Sequence, residues 1–225
     1  MTEYESYLSA EWRRYLAEPI RFVEAEQLMR AAPGTRVLDV GCGAGQELLP
    51  FVRADWTCFG VDLSAEAGDI GKTLFRTQTE RRVPAFLRAS AESLPFPRDS
   101  FDVVICRVAL PYTHNRAALR EICRVMRRDG LLKIKIHAAG YYLEKAWSGV
   151  RQGEGRSVIH AMRVLLNGFL FSLTGRQPRN RVLGTETYMS SGMLARMLLN
   201  GGIRIEREAP DSSERTPAFW GRKLA

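Results

Sequence analysis

The residues best suited to do chemistry form a short run, Asp39-Val40-Gly41-Cys42-Gly43-Ala44-Gly45-Gln46. A Gly-x-Gly-x-Gly turn between a strand and a helix brings bare backbone close to a flat or anionic ligand, because glycine has no Cβ to block approach or forbid positive φ. The dinucleotide fingerprint puts its third glycine one place later, where this chain has Gln46, and that weakens a nicotinamide reading. Asp62 lies 21 residues after Gly41, at the end of a second apolar run. A carboxylate there can accept both hydroxyls of a ribose. Its other use would be to cap the next helix, a role Ser64 fills equally well. Further on, Arg107, Tyr112 and His114 follow one strand-like run, and His137, Tyr141 and Tyr142 follow another. His137, Tyr112 and His114 are therefore the candidate catalytic groups, with His137 best placed to take a proton. A lone histidine or tyrosine is as readily structural, so each stands as an expectation only.

These residues need elements to hold them. Residues 3–31 read as helix, broken at Pro19, and residues 36–40 as a buried strand. Strand-like runs at 57–61, 83–88, 101–107 and 131–137 alternate with helix-like runs at 46–53, 65–80 and 116–126. Such alternation predicts an α/β fold with a mostly parallel sheet. After His137 about fifty residues pass without a strand, and then a helix at 190–199 and strands at 203–208 and 218–223 resume the rhythm. The last two strands would pair antiparallel and close one edge. Residues 157–173 are the most apolar stretch, expected as a helix buried on most sides, with Arg156, His160, Arg163, Asn167 and Thr174 on one narrow stripe. At that length it falls short of the roughly 20 apolar residues of a spanning helix, so no membrane span is expected.

Composition narrows the classes further. With 225 residues, 45% hydrophobic and 26% charged, the chain has the makeup of a globular domain with room for an appendage, not of a disordered or collagen-like chain. Cys42, Cys58, Cys106 and Cys123 are scattered, without a CxxC pair or a histidine cluster, so they read as reduced buried thiols and no metal site is expected. Residues 1–14 carry acids and aromatics, not a basic patch followed by an apolar run, so a signal peptide is not expected and a cytoplasmic location is. Residues 1–110 hold 13 Lys/Arg against 16 Asp/Glu, and residues 111–225 hold 20 against 9. The second half is the basic one. Because Arg outnumbers Lys 28 to 5, the imbalance carries little weight as a sign of a nucleic-acid partner.

Four motifs in order carry a family resemblance: the run from Val37 to Gln46, Gly60-Val61-Asp62, Ala91-Glu92-Ser93-Leu94-Pro95-Phe96-Pro97 with Asp99-Ser100-Phe101-Asp102-Val103-Val104, and Leu119-Arg120-Glu121 leading to Val125-Met126-Arg127-Arg128-Asp129-Gly130-Leu131-Leu132. Over about residues 34–137 the chain resembles class I S-adenosylmethionine-dependent methyltransferases, nearest in flavour to the quinone and small-molecule group. The resemblance implies a Rossmann-like seven-stranded sheet whose last strand is antiparallel, helices on both faces, and S-adenosylmethionine as cofactor with S-adenosylhomocysteine as product. It also implies roles. Gly41, Cys42, Gly43 and Gly45 would pass the methionine part, Asp39 would sit near its amino group, Asp62 would hold the ribose and Leu63 would pack on the adenine. Ser90, Ala91 and Glu92 would reach the adenine edge, with Ser90 standing where the family commonly has Asp, and Arg107 would complete the cofactor side.

Methyl transfer from a sulfonium asks the protein to align a nucleophile and exclude water, and a base is needed only where a neutral acceptor must lose a proton. Residues 140–186 read as a helical substrate cap inserted after the fifth strand, and residues 1–33 as an N-terminal helical lid in which Tyr4, Tyr7, Trp12 and Tyr15 either cover the cofactor or join the core. The methyltransferase domain would then comprise 34–139 and 187–225. Tyr141, Tyr142, His160 and Arg163 are the candidate substrate contacts, and Arg151, Arg156, Arg176, Arg179 and Arg181 would suit an acidic group on a partly apolar small-molecule acceptor. Competing readings are an RNA methyltransferase using the basic second half, a non-catalytic cofactor-binding protein and a nicotinamide oxidoreductase. No RNA-binding module, Lys/Arg tract or Asn-Pro-Pro-Tyr-like motif accompanies the strand end Arg107-Val108-Ala109-Leu110-Pro111-Tyr112, and no nucleic-acid partner is expected.

Overall fold

Seven strands form one sheet in the order β3-β2-β1-β4-β5-β7-β6 in the computed structural model, which describes residues 2–178 and 184–224. The strands are β1 (Arg36–Val40), β2 (Thr57–Asp62), β3 (Ala85–Arg88), β4 (Phe101–Arg107), β5 (Met126–Lys135), β6 (Ile203–Glu208) and β7 (Ala218–Lys223). Strands β1 to β5 are parallel to one another, and β7 runs antiparallel to both β5 and β6. The expected mixed sheet with an antiparallel last strand is present. Central strands read as unbroken apolar runs because both faces are covered. Alternate residues divide between the faces: Leu38, Val104 and Leu132 pack against α5 (Asn115–Val125) and α8 (Ser191–Asn200), while Val37, Val103 and Leu131 pack against the layer of α1 (Glu3–Leu16), α2 (Pro19–Ala31), α3 (Leu49–Arg53) and α4 (Ala65–Gln78).

Local chemistry sets where these helices begin and end. Thr2 and Glu5 form a reciprocal capping box, with Thr2 Oγ1 accepting the Glu5 N–H at 3.0 Å and Glu5 accepting the Thr2 N–H at 3.2 Å. Pro19 opens α2 at a position where a missing N–H costs nothing. The helix expected over 46–53 is split: left-handed Gly45 starts a tight turn at Gln46–Leu48, and Pro50 lets α3 begin only at Leu49.

The stretch after β5 holds two helices, α6 (Ala139–Gln152) and α7 (Gly155–Thr174), packed as a hairpin and separated by left-handed Gly153. Here the burial expected for the apolar helix is overturned. The polar stripe of α7 is the part that faces the protein, with Asn167 buried, while Ile159, Met162, Leu166, Phe169 and Leu173 are exposed. The length is corrected too, since α7 spans 20 residues and is by length and composition apolar enough to cross a membrane. Arg156 and Thr174, at the two ends of the stripe, are exposed, and Arg179 and Arg181 lie outside the described residues.

Candidate active site

The strand order reverses between β1 and β4, so the connections leaving their carboxyl ends diverge and open a crevice there. A cavity of about 980 Å³ fills it, at the upper end of what small-molecule sites occupy. Its floor comes from the carboxyl ends of four parallel strands: Asp39 and Gly41 at the end of β1, Asp62 and Leu63 at the end of β2, Arg107 and Val108 at the end of β4, and Lys135 and His137 at the end of β5. One face of α1 supplies Tyr4, Tyr7, Leu8, Glu11 and Arg14, and the loop after β3 supplies Ser90, Ala91 and Glu92. Tyr112 and Tyr141 complete the wall.

The glycine turn is shaped by close approach. Gly41 and Gly43 have φ of +71° and +52°, and a Cβ on Gly41 would stand 2.3 Å from the Cβ of Ala109. Gly45 departs from its expected role: it does not line the cavity, and a Cβ there would meet the Phe86 ring at 2.7 Å, so it serves packing. Asp62 receives the Gly43 N–H on one oxygen and the Ser64 N–H on the other, both at 2.9 Å. These bonds fix the carboxylate at the cavity edge while each oxygen keeps a free acceptor direction. Ser64 starts α4 without a side-chain cap bond, so Asp62 also organises the turn into that helix. A smaller cavity of about 190 Å³ shares Asp62 and Cys42 and extends along α4 toward Arg88.

Asp39 is 2% exposed, and burial followed by the nearby Glu47 and Asp62 raises its pKa well above the usual carboxylate range. Gln46 also lines the cavity, and its Oε1 is buried without a hydrogen-bond partner. An acid that forms no ion pair of its own among the described residues, and an orphaned acceptor, both suit a ligand that brings N–H donors and positive charge. Cys42 lines the same region, but burial pushes its thiol far up in pKa, so it contributes shape and not nucleophilicity. Ser90 Oγ accepts the Glu92 N–H at 3.1 Å, and Glu92 accepts the His114 N–H at 2.8 Å, which folds this loop against the cavity. Tyr4 lines the same cavity as Asp62, and burial together with that charge pushes its phenol up to about 12.

Beneath the cavity lies a buried charge network that composition did not reveal. Glu47 pairs with Arg21, meets Arg107 Nε at 3.1 Å and Lys133 Nζ at 3.7 Å, and Lys133 also pairs with Glu24. Asp211, from the β6–β7 turn, takes Arg107 Nη1 and Lys135 Nζ at 2.9 Å each. Burial alone would raise the Glu47 pKa, yet Lys133, Arg21 and Arg107 together hold it low. Arg107 thus lines the cavity with its charge already matched, a clamp between the Gln46–Leu48 turn and the β6–β7 turn.

On the acceptor side the predicted residues separate into a wall and its support. His137 lines the cavity with its ring stacked on Tyr141 at 3.8 Å between centroids. Burial, with Lys145, Lys135 and Arg107 nearby, lowers its pKa to about 4. Tyr142 is fully buried behind it and does not line the cavity: its hydroxyl lies 3.3 Å from His137 Nδ1 and donates to Glu186 at 2.9 Å. His160 and Arg163 are farther back still. Arg163 donates to His160 Nδ1 at 3.2 Å, and His160 Nε2 meets the other oxygen of Glu186 at 3.3 Å. His114 departs from its expected place as well, since its Nδ1 caps α5 by accepting the Ala117 N–H and the residue is absent from the cavity wall. Glu186 is the residue missed by sequence reading. It falls at the last position of the expected insertion, in a segment tied to the sheet by Thr187 N–H to Pro111 O and Met189 N–H to His137 O, both at 3.1 Å.

Residues 38–134 match the family described as methyltransferase domain. Those residues form a methyltransferase domain, and the sheet around them has the fold of class I S-adenosylmethionine-dependent methyltransferases. Its cofactor is S-adenosylmethionine, and the acceptors found above fit that group. Among curated relatives, the uncharacterized methyltransferase YcgJ of Bacillus subtilis is 39% identical over 46% of this chain and 41% of its own length. The ubiquinone/menaquinone biosynthesis C-methyltransferase UbiE of Geotalea uraniireducens is 29% identical over 55% of this chain and 50% of its own. The chain thus spans about half the length of the curated relatives it matches. Among solved structures, magnesium protoporphyrin IX methyltransferase (ChlM) from Synechocystis with bound S-adenosylhomocysteine superposes with a TM-score of 0.59 at 16% identity, covering 97% of this chain and 83% of that one. That likeness concerns the fold.

Proposed function

We propose that this chain methylates a small, partly apolar acceptor with an ionisable hydroxyl, amine or acidic carbon, using His137 as the base. The observation that carries the reading is a single cavity in which the ends of β1 and β2 face His137 and the aromatic wall of Tyr7, Tyr112 and Tyr141. UbiE, by its name an enzyme of quinone biosynthesis, supports a small-molecule acceptor over RNA. An acidic group on the acceptor is not favoured, because Arg107 and Lys135 are already neutralised by Glu47 and Asp211. Four buried free thiols agree with a reducing, cytoplasmic setting.

Bound S-adenosylmethionine supplies a methyl group activated by a sulfonium. Asp62 would hold the ribose, Asp39 and Gln46 the amino group, and Tyr4, Tyr7 and Leu8 of α1 would exclude water. His137 needs the right tautomer to accept a proton. A carboxylate on Glu186 can only accept, so the Tyr142 hydroxyl donates to it and receives the His137 Nδ1–H. Nε2 is then left with its lone pair. His160 repeats the logic: with Nδ1 taking the Arg163 proton, its Nε2–H points at Glu186 and holds that carboxylate in place. Tyr142, Glu186 and His160 are accordingly positioning residues.

The test is product analysis by mass spectrometry, with S-adenosylmethionine and a panel of phenolic, quinol and amine acceptors. Methylation should fall about 100-fold or more in His137→Asn, within the range of general-base contributions. Tyr142→Phe should lower kcat by about tenfold with KM little changed, as expected when a tautomer is mis-set but the cavity is intact. Activity that survives both substitutions would overturn the assignment of the base.

A further inference from the structure

The α6–α7 hairpin turns its polar side inward and its apolar side outward. Leu143, Trp147 and Val150 on α6 and Ile159, Met162, Leu166, Phe169 and Leu173 on α7 are each between 47% and 71% exposed. On α7 they recur every three or four residues, which draws one continuous stripe along the helix. From Ser157 to Gly175 the only charged side chain is Arg163, and it is turned toward His160. The cations stand at the ends: Arg151 and Arg156 before the stripe and Arg176 after it, all exposed and none in an ion pair with a described residue.

Charge decides what covers such a face. Residues 140–176 carry five Lys/Arg against two Glu, and Glu144 is already paired with Arg215. A second copy would have to bring the same patch against itself, and antiparallel pairing of α7 would set Arg156 against Arg176, cation to cation. An anionic bilayer answers both parts, since acyl chains accept the stripe and headgroups accept the arginines. Crossing the bilayer is disfavoured because the inner face of α7 keeps Asn167 bonded to the Glu186 carbonyl and His160 against the Glu186 carboxylate.

We propose that the outer face of the α6–α7 hairpin docks on an anionic lipid bilayer, with α7 lying in the interface plane, its apolar stripe among the acyl chains and its flanking arginines among the headgroups. Tyr141, at the start of the docked hairpin, also walls the cavity. This inference stands independently of the acceptor and base argued above.

The experiment is flotation of the full chain with phosphatidylcholine vesicles, either pure or containing about 30% phosphatidylglycerol, at low and high salt, with each bound fraction converted to a partition coefficient. Anionic vesicles should carry the protein up, and neutral ones should do so far less. Salt should release it. Leu166→Ser with Phe169→Ser should weaken partitioning by more than about tenfold, given the apolar area removed. Because both residues are exposed, an unchanged thermal melt will show that the fold is kept. Each of Arg151→Gln, Arg156→Gln and Arg176→Gln should weaken it by about fivefold. Trp147 emission should shift to the blue on anionic vesicles, and the shift should vanish in Trp147→Phe. Absence of flotation with anionic vesicles at low salt, equal partitioning onto neutral ones, or indifference to the double substitution would overturn the proposal. So would a sedimenting dimer that the same double substitution dissociates.

Discussion

Replacing Asp62 with alanine should remove tight binding of S-adenosylhomocysteine while leaving the sheet folded. The two carboxylate oxygens are anchored by the Gly43 and Ser64 N–H groups, so they are preorganised before any ligand arrives. Each can accept one ribose hydroxyl, and a hydrogen bond to a charged group contributes about 1.5–3 kcal/mol. Losing two costs about 3–6 kcal/mol, which weakens binding by roughly 150-fold at the low end and about 10⁴-fold at the high end. The same substitution also leaves two backbone N–H groups without their acceptor, at about 1–2 kcal/mol of stability given that water can reach this edge. Calorimetric titration with S-adenosylhomocysteine measures the first quantity and a thermal melt followed by circular dichroism measures the second. Asp62→Asn, which retains one acceptor oxygen, should fall between wild type and alanine. If folded Asp62→Ala bound within threefold of wild type, the ribose assignment would be wrong, whereas failure of the wild type to bind would overturn the cofactor site as a whole.

Gly41→Ala combines a left-handed backbone with a Cβ placed 2.3 Å from the Ala109 Cβ, so it should cost more than about 2 kcal/mol in urea unfolding and weaken S-adenosylhomocysteine binding. Lys133→Met leaves the buried Glu24 without its ion pair, while Glu47 keeps Arg21 and Arg107, and should destabilise the protein by about 3–5 kcal/mol, measured the same way. His137 gives a pH signature. Its folded pKa of about 4 lies below the unfolded value near 6.5, so between these pH values the unfolded chain binds a proton that the folded one does not, and stability falls as pH drops. The loss amounts to about 3 kcal/mol at most across that window, and denaturation curves from pH 7 to pH 4 should be flatter for His137→Asn by that amount.

How much of this was legible in the sequence follows from how local each feature is. The cofactor side is built from short runs at strand ends, so the resemblance carried by those motifs implies Asp39, Gly41, Cys42, Asp62, Leu63, Ser90, Ala91, Glu92 and Arg107, and all of them line the cavity. Gly45 belongs to the same motif but faces Phe86, because a left-handed turn can be required by packing as well as by a ligand. The burial of α7 was misjudged for a related reason. An apolar helix with a polar stripe is ordinarily buried on its apolar side, and only the Tyr142–Glu186–His160 chain explains why this one is turned around. Helix α6 is turned the same way, with its apolar stripe of Leu143, Trp147 and Val150 exposed while Tyr142 and Gly149 are buried.

The acceptor side resisted sequence reading because none of its contacts is local. His137 and Tyr142 are five residues apart, but the carboxylate that orients them is 44 residues beyond Tyr142. It arrives through backbone bonds from Thr187 to Pro111 and from Met189 to His137. Tyr4 and Tyr7 come from the opposite end of the chain, carried by a helix that Thr2 fastens to Glu66 of α4 at 2.8 Å. Strand ends recur in fixed order wherever this sheet forms, so their ligand residues leave a readable pattern. Insertions are free to approach the same crevice from any direction, and their chemistry becomes visible only once packing has brought it together. Specificity for the acceptor should accordingly change through α1, α6, α7 and the segment around Glu186, while the ends of β1 and β2 keep the cofactor in one place.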